Sequence, residues 1–176
     1  MKNVRRILIL TACLASLAMT SMAQDAQSSS SCSNRTLNGD YAFRLSGEVF
    51  TQGGLVYRDG VAMTHFDGNG GLTQVDWVMA NGVPVPGPLD QNGFHDNETG
   101  SYNVYANCTG DAEIDFPIPP HGTSGAVIKL KFVIGDRGSA LHTIVYSLTP
   151  PNTTQPVPAN IHSDAVRVSE GAGSPQ

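Results

Sequence analysis

His142 and Tyr146 are the pair whose types and spacing come nearest to chemistry. Ser139 to Leu148 reads in two ways, with Leu141, Ile144, Val145 and Leu148 forming a helix stripe or His142, Ile144, Tyr146 and Leu148 forming one face of a strand. The segment is short, β-branched and fed by the turn Gly135-Asp136-Arg137-Gly138, so a strand is predicted. On that reading an imidazole and a phenol project into an apolar interior, where they can orient a small ligand, or His142 can act as acid or base. The bland alternative is a hydrogen-bonded core histidine with the tyrosine hydroxyl at the rim. Trp77 joins them as a ligand-binding candidate, because its strand leads into the long Met79–Gly100 loop beside the same opening.

Other constellations are thinner. Nucleophilic catalysis needs a nucleophile, a base and an oxyanion donor, and Gly122-Thr123-Ser124-Gly125 only approaches such a motif. His65, His95, His121, His142 and His162 are scattered without zinc-ligand spacing, so no metal and no cofactor are expected. Asp111, Glu113 and Asp115 share a strand face and read as a solvated acidic surface. The oxygen-rich stretch Asp90–Glu98 departs from the EF-hand order of ligands. Four Asn-x-Thr sequons, at Asn34, Asn97, Asn107 and Asn152, read as turn asparagines.

The elements that must position these residues begin after an export pattern. Lys2, Arg5 and Arg6 precede an apolar run from Ile7 to Met19, and Ser21-Met22-Ala23 has the small residues a signal peptidase selects. A run of 13 residues is short for a span, which needs roughly 20. Residues 1–23 are therefore expected to be a signal peptide, the protein to be secreted or periplasmic, and no integral span to remain. Leu10-Thr11-Ala12-Cys13 offers the alternative of a lipoprotein anchored at Cys13. Cleavage takes the ten basic residues to seven against 15 acidic ones, a formal charge of −8 that argues against nucleic acid and anionic membranes as partners. Of the two cysteines that survive, Cys32 and Cys108, a disulfide is expected, worth about 4 kcal/mol on the chain-entropy model.

Residues 24–36 read as a flexible leader, rich in serine, and 170–176 as a disordered tail. Between them, 37–169 forms a single domain of eight candidate strands: 41–50, 55–66, 72–79, 101–107, 111–116, 126–134, 139–148 and 163–169. Tyr41, Phe43, Leu45 and Val49 alternate with Arg44, Ser46 and Glu48, and Ile128, Leu130, Phe132 and Ile134 with Lys129 and Lys131. Asp67-Gly68-Asn69-Gly70-Gly71 supplies a hairpin turn, whose more apolar face carries Val61, Met63, Thr73, Val75 and Trp77, but His65 shares that face and Phe66 and Leu72 sit opposite, so the pattern leaves the register open. Val166 and Val168 are expected to point inward in the closing strand. The fold class is thus all-β, an antiparallel meander closed into an eight-stranded up-and-down barrel, because an open sheet would leave two long edges; an open β-sandwich is the alternative.

Leu37-Asn38-Gly39-Asp40-Tyr41-Ala42-Phe43, Phe66-Asp67-Gly68-Asn69-Gly70 and Gly100-Ser101-Tyr102-Asn103-Val104 with Cys108-Thr109-Gly110 resemble a pattern of uncharacterised secreted bacterial proteins of the acidobacterial type, over about residues 32–148. The meander is more loosely similar to lipocalin-like and allene-oxide-cyclase barrels, and no catalytic residue of either carries over. The functional expectation is an exported, non-catalytic module binding a small apolar ligand near Trp77, His142 and Tyr146, or an envelope or extracellular partner. The alternative is an isomerase or hydrolase working in the barrel with His142 as acid or base.

Overall fold

The computed structural model describes residues 31–118 and 123–168; the export pattern, Cys13, most of the leader, His121 and the last eight residues lie outside it. Among the described residues nine strands form one antiparallel sheet: β1 (Asn38–Thr51), β2 (Gly54–Asp67), β3 (Gly71–Ala80), β4 (Val83–Pro84), β5 (His95–Val104), β6 (Thr109–Ile118), β7 (Thr123–Gly135), β8 (Ala140–Thr149) and β9 (Ala159–Arg167). The order β2-β1-β9-β8-β7-β6-β5-β3 closes on itself through β2–β3 pairing, and β4 is a two-residue addition to the edge of β3. The result is a closed eight-stranded barrel and not a sandwich. Closure leaves no long edge of unpaired backbone, which is the physical reason a meander of this length curls.

The alternation in β1 and β7 builds the wall as expected. Tyr41 and Val49 are buried, Phe43 and Leu45 line the interior, and Ile128, Leu130 and Phe132 do the same opposite. Outside, Lys129 pairs with Glu113 at 2.9 Å and Lys131 with Asp111 at 3.0 Å, directly across the β6–β7 ladder. The acidic face is therefore a surface of cross-strand ion pairs. The central turn is held by Asp67, whose carboxylate accepts from the backbone N–H groups of Asn69, Gly70 and Gly71 at 2.7, 2.9 and 2.9 Å. Gly68 and Gly70 take the positive φ values (75° and 114°) that this turn requires.

One open register is decided and two expectations are corrected. In the β2–β3 hairpin the inward face is the other one: Ala62, Thr64, Phe66, Leu72, Gln74 and Asp76 point in, while Val61 and Met63 are exposed. Phe66 and Leu72 decide this, because both drop into the core beside Tyr41 and Tyr102, and a register of period two carries the polar residues in with them. The Met79–Gly100 loop is shorter than predicted, since β5 already begins at His95. In β9 it is Ile161 and Ala165 that are buried, and Val166 and Val168 face out.

Strand direction sorts the connections to two ends. One end gathers the 68–70 turn, the 105–108 turn, a 3-10 turn at Asp136–Gly138, and Cys32 to Leu37 with a 3-10 turn at Asn34–Thr36. There Leu37 and Tyr41 are wholly buried, and Cys32 bonds to Cys108 with Cα atoms 5.0 Å apart. The opposite end gathers the 52–53 turn, the 81–94 connection and the 150–158 segment.

Candidate functional site

That second end is open. Behind it lies a cavity of about 410 Å3 in the barrel lumen, walled largely by Leu45, Val49, Val78, Ile128, Leu130, Val145, Leu148 and Ile161, with Val85–Pro88 and Pro150–Pro151 at the mouth. The rings that fill the closed end, Phe66 and Phe132, form its floor together with Leu72 and Leu141.

One stretch of wall is polar. Thr64 donates to Gln74 Oε1 at 2.8 Å, Gln74 Nε2 donates to Glu98 Oε2 at 2.9 Å, and His95 Nδ1 meets Asp76 Oδ1 at 2.9 Å. Asp76 and Glu98 are 4% and 3% exposed, among the most buried polar residues of the described chain. Glu98 and His95 are three apart, so regular alternation would put them on opposite faces. A bulge makes the difference: Gln74 pairs with Glu98 and Asp76 with His95, leaving one extra residue on β5, and Asn97 absorbs it with φ 64°. Asparagine tolerates that left-handed conformation better than most residues.

His95 is held from two sides. Trp77, on the far side of β3, stacks on it with ring centroids 5.8 Å apart and planes at 23°. At Gly87 a Cβ would approach His95 Cδ2 to 3.0 Å, so the mouth segment lies against the imidazole only because position 87 has no side chain. The Nε2 atom of His95 is buried without a hydrogen-bond partner, as is Nε of Arg58 nearer the mouth.

Electrostatics follow from burial. Desolvation first, and the neighbouring Asp76 carboxylate second, push the Glu98 carboxyl up to about 8, against the opposing hydrogen bond from Gln74. Burial also raises Asp76, against the hydrogen bond and charge of His95. Both carboxyls are thus held above the ordinary carboxylate range, Glu98 in part by the charge of the neighbouring Asp76. Ligand atoms of Asp76, His95 and Glu98 lie within 4.8 Å of one another, a carboxylate–imidazole set of the type first-row metal ions take.

The sequence-predicted candidates are elsewhere. His142 is on the outer face of β8, 61% exposed at its side chain, with Nδ1 2.5 Å from Asp164 Oδ1. Tyr146 is 55% exposed and also faces out, near Lys131. The expected inward face of β8 is thus inverted: Leu141, Thr143 and Val145 line the lumen, and Tyr146 is the extra residue of a bulge where Lys129 pairs with Ser147 but Leu130 with Val145. That bulge returns Leu148 to the inside, which is why a face drawn through His142 and Leu148 mixes the two sides. Trp77 touches the site through His95 without lining the lumen. Sequence reasoning missed Gln74, Asp76, His95 and Glu98; their one legible signal is that Gln74 and Asp76 alternate in phase with Leu72.

The sequence matches no family model and no curated protein. In structure the chain is similar to an S-type phycobiliprotein lyase, CPES from Guillardia theta, at 8% identity and a TM-score of 0.42, over 84% of this chain and 99% of that one.

Proposed function

We propose that the protein is an exported binding module that holds one small, largely apolar molecule in the lumen of its barrel. The observation that carries this reading is the cavity: its volume of about 410 Å3 falls in the range of small-molecule sites, its wall is mostly aliphatic, and its polar groups converge on one stretch. An eight-stranded barrel is at the size where side chains either fill the interior or leave room for one ligand. Here they fill one end and leave the other free. The Cys32–Cys108 bridge supports a location outside reducing compartments, as does the N-terminal export pattern. Among the described residues no helix is long and apolar enough to cross a membrane.

Trp77 stacks on His95, a lumen residue, so its fluorescence is a reporter of occupancy. Titration with an apolar probe such as anilinonaphthalene should give a saturable one-to-one change, and Ala126→Phe, which narrows the mouth, should abolish it with the circular dichroism spectrum intact. Absence of any saturable change in the unaltered protein rejects the reading.

The enzymatic reading, an isomerase or hydrolase working in the barrel, is favoured by one observation at a different place from His142. A buried carboxyl pair with Glu98 raised to about 8 is suited to moving a proton near neutral pH. Turnover of a carbonyl or ester compound that disappears in Glu98→Gln, with probe binding retained, would put catalysis ahead of storage or transport.

A further inference from the structure

Accepting the lumen as a ligand site, we infer that its ligand carries an ammonium group, a primary or secondary amine in its charged form, which seats between Asp76 and Glu98 while the apolar remainder fills the rest of the cavity. The placement of charge in the wall carries the inference. Asp76 and Glu98 are almost fully buried, and among the described residues neither forms an ion pair with a lysine or arginine. The two carboxyls act on each other, Asp96 and His95 act on them as well, and His95 directs Nδ1 to Asp76. Arg58, on the neighbouring strand β2, lines the same lumen and forms no ion pair with either carboxyl.

Two buried carboxyl groups facing one cavity are costly to leave charged without a full positive charge between them. In the wall Gln74 donates to Glu98 Oε2 and His95 directs Nδ1 to Asp76, and neither partner carries the fixed positive charge of a lysine or arginine. An ammonium group supplies a full positive charge and offers N–H donors to both carboxyl groups, making charge-assisted hydrogen bonds in a water-poor wall. A carboxylate or phosphate head would instead meet like charge, and a hydroxyl head would bring no positive charge to offset the charge of the wall. The rival position for an anionic head is Arg58 nearer the mouth, whose buried Nε has no partner.

The test uses three probes with one tail: decylamine, decanol and decanoate, titrated calorimetrically into the unaltered protein at neutral pH with EDTA present, so that a metal ion on the same side chains cannot stand in for the amine. Decylamine should bind at least about tenfold more tightly than the other two. In Glu98→Gln and in Asp76→Asn the preference should collapse to within about twofold, with decanol binding as the check that the lumen is intact. Equal binding of all three probes, or a preference for decanoate, overturns the ammonium assignment and leaves the lumen a ligand site. Failure of all three to saturate rejects the ligand site itself.

Discussion

At one end of the barrel Tyr41, Phe66 and Tyr102 stack edge to face, with ring centroids 5.3 and 5.0 Å apart, and Leu37 closes the layer from outside the sheet. Every polar atom these rings bring in is used. The Tyr41 hydroxyl donates to the Gly138 carbonyl and accepts from Arg167 Nε and Nη2 at 3.0 and 2.6 Å, and the Tyr102 hydroxyl lies 2.9 Å from the Leu37 carbonyl. At the other end the same eight strands carry Val49, Val78, Ile128 and Leu148, aliphatic side chains that cover the wall and leave the middle free. The strand number is common to both ends, so the contrast lies in side-chain size and in the segment that plugs one end. Close packing and open space are thereby separated along the barrel axis, with the packed rings at one end and the cavity at the other.

The largest effect that separates the two ends should come from truncating a ring. Tyr41→Ala is expected to cost about 3–5 kcal/mol in urea unfolding, whereas Leu148→Ala, whose side chain already borders open space, should cost about 1 kcal/mol. Comparable losses at the two positions would dissolve the distinction. Next comes the tether of the plug: replacing both Cys32 and Cys108 by serine should cost about 2–4 kcal/mol, while the affinity for an apolar probe stays within about twofold. A large loss of probe affinity in that variant would mean that the closed end shapes the lumen after all.

The smallest effect belongs to the open end and depends on pH. Glu98 is raised from 4.5 to about 8, so the folded chain keeps a proton that the unfolded chain releases. Its contribution therefore favours folding most below about 4.5, declines as pH rises toward about 8 and is constant above that; Asp76, shifted in the same direction, adds to the slope. Glu98→Gln should remove much of the decline, raising stability above about pH 8 by roughly 1–2 kcal/mol and changing it little near about pH 5. Thermal unfolding across that interval measures it, and parallel curves for the two proteins would place the burden elsewhere.

Much of the architecture is local and so can be read from the chain. Strict alternation in Tyr41–Val49 and Ile128–Ile134 specifies both strand and face, and Asp67-Gly68-Asn69-Gly70-Gly71 specifies a turn, because period two and positive φ are properties of single segments. The cysteine pairing follows from there being two after the export pattern, and the bond joins them. Faces in the weakly patterned strands are another matter. In β2–β3 the deciding contacts are those of Phe66 and Leu72 with Tyr41 and Tyr102, partners distant in sequence, and they turn Asp76 inward against its own hydrophilicity. In β5 and β8 a single bulge reverses parity, bringing His95 and Glu98 to one side and putting Tyr146 outside. A bulge adds one residue to one strand and is defined by the partner strand's register, so nothing in the bulged segment alone announces it. By itself the sequence determined an antiparallel meander with a bridged N-terminal segment; tertiary structure decided which side chains face the lumen, because a one-residue change of register moves every one of them to the opposite face.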